Sequence, residues 1–204
     1  MTKAMTILYE YHNNLYINLT NRCSSACIFC LRQTREEMDN SGSLWLDHEP
    51  SYEEVIEEFK KFDVEKYNEI IFCGFGEPTE RIDVLLQVAK YIKDNFHKNI
   101  RLNTNGQGNL INNRDIVPEL KGLIDCISIS LNNPDPEKYQ EIVRSIFGVK
   151  SFEAMLEFAK EAKNYVPKVI LSTVDTTITK EEEAKCQKIC DEIGVTYRIR
   201  EFEE

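Results

Sequence analysis

Short apolar runs alternate along the whole chain with segments whose apolar residues recur at helical spacing. Leu15 to Leu19, Glu69 to Cys73, Asn99 to Asn103, Cys126 to Leu131, Lys168 to Thr173 and Val195 to Arg200 read as six strands. Between them, Ser51 and Glu54 form a capping box ahead of Val55, Ile56 and Phe59. Thr179 and Glu182 form another, before a helix predicted to stop at Gly194. Val84, Leu85, Val88, Ala89 and Ile92 share one helical face, as do Phe152, Met155, Leu156 and Ala159. This alternation predicts parallel α/β structure with right-handed crossovers. Six strand–helix units fall short of the eight in a closed barrel, which leaves an open, three-quarter barrel or a doubly wound sheet.

The run from Cys126 favours the barrel. Ser128, Ser130 and Asn132 fall on one face of that strand, and Ile127, Ile129 and Leu131 on the other. A doubly wound sheet has helices on both faces and needs apolar residues on both. A strand with one polar face suits a barrel whose interior holds a polar ligand.

Composition narrows the class. The 204 residues include 42% hydrophobic and 10% aromatic side chains, which excludes a disordered chain and predicts one domain, conceivably two small ones. With 25 basic against 35 acidic residues the formal charge is −10, which disfavours nonspecific binding to nucleic acid. No apolar run approaches the roughly 18 residues of a membrane span, so no membrane insertion is expected. Met1 to Glu10 lacks a basic stretch followed by an apolar core, so no secretory signal is expected either. Seven cysteines in such a chain read as reduced thiols in a cytoplasmic setting, as metal ligands or buried apolar residues.

Three of those cysteines carry chemistry. Cys23, Cys27 and Cys30 lie on a loop leaving the C-terminal end of the first strand, where parallel barrels build their sites. Closely spaced thiolates bind soft metal, and three on a four-iron cluster leave one iron open to a small molecule. A structural zinc ion would need a fourth ligand, for which His12 and His48 are the nearest candidates in sequence.

The spacing Cys23-x3-Cys27-x2-Cys30, with Phe29 before the last cysteine, resembles the cluster-binding loop of the radical S-adenosylmethionine (radical SAM) superfamily. Gly74-Phe75-Gly76-Glu77-Pro78 follows the second strand and resembles its Gly-Gly-Glu-Pro segment, with Phe75 where a second glycine is more usual. Asn103-Thr104-Asn105-Gly106 resembles its Thr-Asn-Gly turn. Together with Cys30-Leu31-Arg32, Leu44-Trp45-Leu46 and Ser128 to Asn132, these segments resemble the short group named TatD-associated radical SAM proteins.

The resemblance implies a (β/α)6 partial, TIM-like barrel in a single domain over 1–204, with a cluster loop at 21–32. The segment 33–50, polar and long for a loop, reads as a lid or substrate wall, or through Leu44-Trp45-Leu46 as a plug of the barrel's side. It implies that Cys23, Cys27 and Cys30 hold a [4Fe–4S] cluster. The cluster's electron would cleave S-adenosylmethionine to methionine and a 5′-deoxyadenosyl radical, which takes hydrogen from a substrate the sequence does not identify. A flavodoxin- or ferredoxin-type one-electron donor is implied as partner, with a functional link to a TatD-family nuclease. The open side of a partial barrel would either admit a large substrate or be closed by a partner subunit.

Around S-adenosylmethionine the expected residues are Phe29, Gly74, Phe75, Gly76, Glu77, Asn105, Ser130 and Arg144, the last placed by resemblance at the ligand's carboxylate. Gly74 and Gly76 would allow close backbone approach, and Glu77 would add charge or brace the loop. Arg198 and Arg200 share a face of the last strand, either toward an anionic substrate or as a solvated end. Cys186 and Cys190 share a helix face and read as core, so a single cluster is expected. Cys73 and Cys126 read as small core hydrophobes. Rival readings are a glycyl-radical-enzyme activase, a 7-carboxy-7-deazaguanine synthase, an iron–sulfur electron carrier and a zinc-binding module.

Overall fold

A computed structural model describes residues 4–39 and 41–202. One sheet of seven strands runs in sequence order: β1 (Leu8–Tyr11), β2 (Asn14–Ile17), β3 (Ile70–Phe72), β4 (Ile100–Thr104), β5 (Cys126–Ser130), β6 (Lys168–Val174) and β7 (Thr196–Arg200). From β2 to β7 every neighbouring pair is parallel. The edges β1 and β7 do not pair, so the sheet is an open, partial barrel.

The six strands expected from sequence are present as β2 to β7. The seventh, β1, pairs antiparallel with β2 through the register Tyr11↔Asn14. The loop between them is His12-Asn13, and both residues have positive φ (46° and 59°). That is the geometry of a two-residue primed hairpin turn, usually signalled by Asn-Gly.

Period-two alternation sorts the strands' side chains. Leu15, Ile17, Ile70, Phe72, Ile100, Leu102, Ile127 and Ile129 point to the helical layer and join its core. The helices supply Val55 and Phe59 from α1 (Tyr52–Phe59), Leu85, Val88 and Ile92 from α2 (Ile82–Asn95), and Met155 and Phe158 from α5 (Lys150–Ala162). The short α3 (Gly108–Asn112) and α4 (Pro136–Val143) follow β4 and β5. Both expected capping boxes form, at Ser51/Glu54 and at Thr179/Glu182 before α6 (Lys180–Ile193). Gly194 caps α6 at φ 81°, a left-handed position that favours glycine.

A second apolar cluster joins Tyr9, Met38, Leu44 and Phe75, with Trp45 edge-on to Phe75 at 5.2 Å between centroids. It is pinned by amide contacts: Asn18 Nδ2 donates to the Leu44 carbonyl at 2.8 Å, and Asn21 donates to and accepts from the Leu46 backbone. Leu44 and Leu46 are buried, so this part of segment 33–50 is packed against the barrel side. Among the described residues no helix is long and apolar enough to cross a membrane.

Candidate functional site

The inward face of the strands and the loops at their C-terminal ends enclose one cavity of about 590 Å³, within the range of small-molecule sites. Cys23, Cys27 and Cys30 line it. So do Phe29, Gly74, Phe75, Gly76, Glu77, Asn105 and Ser130 among the residues expected from sequence. Ser128 and Asn132, the other polar positions singled out in the fourth predicted strand, line it too.

The cysteine loop is held on three sides. Toward α4, Ala26 N and Ile28 N donate to the carbonyls of Val143 and Ile142, in the last turn of a helix that leaves such carbonyls without intrahelical partners. Toward β3, Glu77 N donates to the Arg22 carbonyl at 2.8 Å. A Cβ on Gly76 would stand 2.3 Å from the Thr20 carbonyl oxygen and 2.5 Å from that of Arg22. A Cβ on Gly74 would stand 2.1 Å from Asn18 Oδ1. Both glycines therefore let the β3 loop lie directly against the chain that leads into the cysteines. Toward β4, Asn105 Nδ2 donates to Ser24 Oγ at 3.0 Å and approaches Cys23 Sγ at 3.9 Å.

Glu77 is buried and braces this assembly. Its carboxylate accepts from Thr79 N, Thr79 Oγ1, Thr104 Oγ1 and Asn105 N, at 2.7 to 3.2 Å. Burial pushes its carboxyl above the usual range, and these donors work against that rise. Gln107 is a second brace that the sequence reading missed. Its Oε1 accepts from Ser24 and Ser145, and its Nε2 reaches Ser25 and Tyr139, so one fully buried amide ties the cysteine loop to α4. The only sequence signal was its place directly after the Thr104-Asn105-Gly106 turn.

Three expectations change. Arg144 caps α4 in the left-handed conformation (φ 50°) with its side chain exposed, and it does not line the cavity. The helix ends one residue before it, and that cap turns its side chain outward. Cys73 lies just past β3 and lines the cavity, so it is not a core hydrophobe. Arg198 and Arg200 line the cavity as well, so that end of β7 is not simply solvated. Cys126 is buried, and Cys186 and Cys190 are fully buried in the main core as expected.

The three loop thiols differ from those core cysteines by position, at the cavity wall rather than in the core. Burial pushes Cys23 up to about 12 and Cys27 to about 11, with Arg32 pulling both down. A metal ligand must be the thiolate, so loading metal removes these protons. Among the described residues no group of three or more His, Cys, Asp or Glu side chains is placed to hold one metal ion. His48 is engaged with Glu54 at 2.7 Å, and His12 stacks on Tyr11 at the hairpin turn. Neither supplies the fourth ligand that a closed zinc site requires. Three thiols lining one cavity fit an iron–sulfur cluster instead, which Cys23, Cys27 and Cys30 would hold. The orphaned, buried Oδ1 atoms of Asn103 and Asn132, both on cavity-lining residues, fit a polar ligand beside it.

A partial parallel barrel with a three-cysteine loop at its C-terminal rim defines a cluster-bearing barrel of the enzyme type. The chain belongs to the radical SAM superfamily, whose family profile matches residues 17–191. It is a family of enzymes that use a [4Fe–4S] cluster and S-adenosylmethionine. A probable GTP 3′,8-cyclase of Thermococcus kodakarensis is 30% identical over 78% of this chain and 46% of its own length. GTP 3′,8-cyclase of Aquifex aeolicus is 30% identical over 92% of this chain and 56% of its own length. The chain thus spans about half of these relatives. Streptococcus suis SuiB, solved with its precursor peptide SuiA, superposes with a TM-score of 0.68 at 16% identity, over 98% of this chain and 41% of that one, and supports the fold.

Proposed function

We propose that this chain is a radical SAM enzyme whose one cluster is held by Cys23, Cys27 and Cys30 and whose cavity takes S-adenosylmethionine and a substrate. When bound, the cluster supplies the electron that cleaves S-adenosylmethionine to methionine and a 5′-deoxyadenosyl radical. The observation that carries the reading is convergence: the cysteine loop, the Gly74–Pro78 loop and the Asn105 turn meet at one rim, cross-linked by Glu77 and Gln107.

The chain's own residues then position and shield. Glu77 and Gln107 fix the loop that carries the thiols, so the ligand meets a preorganised wall. Ser130 and Asn132 offer hydrogen-bonding groups to the ligand's ribose or carboxylate. Phe75 and Met38, backed by Trp45, form an apolar wall that keeps water from a reactive intermediate. Arg144 has no place in this shell, being exposed at the α4 cap. Arg32, whose guanidinium donates to the Ser25 carbonyl at 3.0 Å, stands beside the thiols instead.

A flavodoxin- or ferredoxin-type donor is the proposed source of the electron. The open barrel side supports a substrate larger than a metabolite, in keeping with the peptide seated on SuiB. The test is spectroscopic. The anaerobically reconstituted and reduced chain should give a cluster electron paramagnetic resonance signal that changes shape when S-adenosylmethionine is added. A loaded cluster indifferent to that ligand would defeat the proposal and leave an electron carrier.

A further inference from the structure

The chain carries a formal charge of −10, yet its cavity reverses that balance. Arg32, Arg101, Arg198 and Arg200 line it against Glu77 and Glu201 alone. Glu77 is already engaged by four donors, and Glu201 is exposed beyond the end of β7.

One of the arginines sits deep. Arg101 is the second residue of β4, three before its last, Thr104. At about 3.3 Å per residue it lies about 10 Å below the rim that carries the thiols. Arg198 lies opposite Ser172 of β6 and donates to Ser128 Oγ of β5 at 3.1 Å. Glu69 pairs with Arg101 at 3.2 Å, whereas Ser128 is the polar partner of Arg198 among the described residues. The Nε atoms of both Arg101 and Arg198 are buried without a hydrogen-bond partner, as is Asn103 Oδ1 on the same face of β4. Burial first, then the neighbouring Arg101, makes the charge on Arg198 harder to hold.

A guanidinium stays protonated under nearly all conditions, so Arg198, with no carboxylate in a salt bridge to it among the described residues, calls for a counter-charge rather than for neutralisation. Its planar fork matches the oxygens of phosphate and carboxylate. We propose that the inner cavity between β4 and β7 is an oxyanion site for the substrate, with Arg198 and Arg101 clamping a phosphate or carboxylate group and Ser128 orienting Arg198. The inference rests on the reading of this cavity as the substrate chamber. The depth of Arg101 separates its end of the site from the cysteine rim, where S-adenosylmethionine would lie.

The test is calorimetric titration of the full chain, with and without reconstituted cluster, using inorganic phosphate in one arm and malonate in the other. Saturable binding of at least one anion is expected, weakened tenfold or more in Arg198→Gln and by a smaller factor in Arg198→Lys, with Arg114→Gln on the outer surface unchanged. Tighter phosphate binding assigns a phosphorylated substrate, and tighter malonate binding a carboxylate. Far-UV circular dichroism checks folding; if Arg198→Gln does not fold, Arg198→Lys decides. No saturable binding, native-like binding in the deciding Arg198 variant, or an equal loss in Arg114→Gln would overturn the site. Anion binding retained by a chain that loads no cluster would defeat the enzyme reading alone. A cluster that responds to S-adenosylmethionine in a chain whose anion binding ignores Arg198 would defeat this inference alone.

Discussion

At the rim of the cavity the Glu77 carboxylate accepts four hydrogen bonds and the Gln107 amide makes four, whereas on the strand floor of the cavity Arg101 Nε, Arg198 Nε and Asn103 Oδ1 make none. Arg101 and Asn103 stand a few residues before Gln107 along the chain, yet the two regions differ in what completes them. The two braces of the rim are complete within the chain, as a scaffold for a fixed cofactor should be. The floor keeps polar atoms in reserve, at a cost in stability that a bound ligand would offset.

That contrast can be broken most strongly at Gly76. A Cβ there meets two backbone carbonyls, which cannot swing away, so Gly76→Ala should displace the cysteine loop. The expected loss is about 3 kcal/mol, read as a lower denaturation midpoint together with poor iron retention. Next is Gln107→Ala, which takes the acceptor from the Ser24 and Ser145 hydroxyls and the donor from Ser25 and Tyr139. It should cost about 2 kcal/mol in the same measurement, since each buried group left unpaired carries a desolvation penalty.

The floor should respond with the opposite sign. Arg198→Met removes a half-buried charge while keeping apolar bulk, and should leave the apo chain as stable as the native one or about 1 kcal/mol more stable. A loss comparable to that of Gln107→Ala would mean the floor is as self-contained as the rim. The smallest effect lies away from both regions. The Lys138 ammonium, then the Thr179 cap, hold the Glu182 carboxyl at about 2. Its folded value lies below the unfolded one, so its contribution is present above about pH 4 and fades as pH falls toward 2. In Glu182→Gln that acid-side decline should be shallower, with a loss near neutrality under about 1 kcal/mol.

Much of the fold was legible because strand and helix periods differ. Ile127 and Ile129 against Ser128 and Ser130 announced a barrel interior, and both capping boxes formed as written. The strand β1 was not legible, because His12-Asn13 makes a turn normally marked by glycine. At the site, motif spacing pointed to the three thiols and the glycine loop, since local contacts build them. Gln107 escaped because its partners lie as far as 83 positions away in sequence. The expectation for Arg144 rested on resemblance, since nothing local to it shows which way a left-handed helix cap turns its side chain. The role of Arg198 depends on which strand ends up across the cavity, which only the assembled barrel decides.

The most direct test of the central claim is the yield of 5′-deoxyadenosine from the reconstituted, reduced chain given S-adenosylmethionine without oxygen. The native chain should form it, and a variant with Cys23, Cys27 and Cys30 all changed to Ala should form none. Equal yields from the two, or none from a native chain with its cluster fully loaded, would contradict the account.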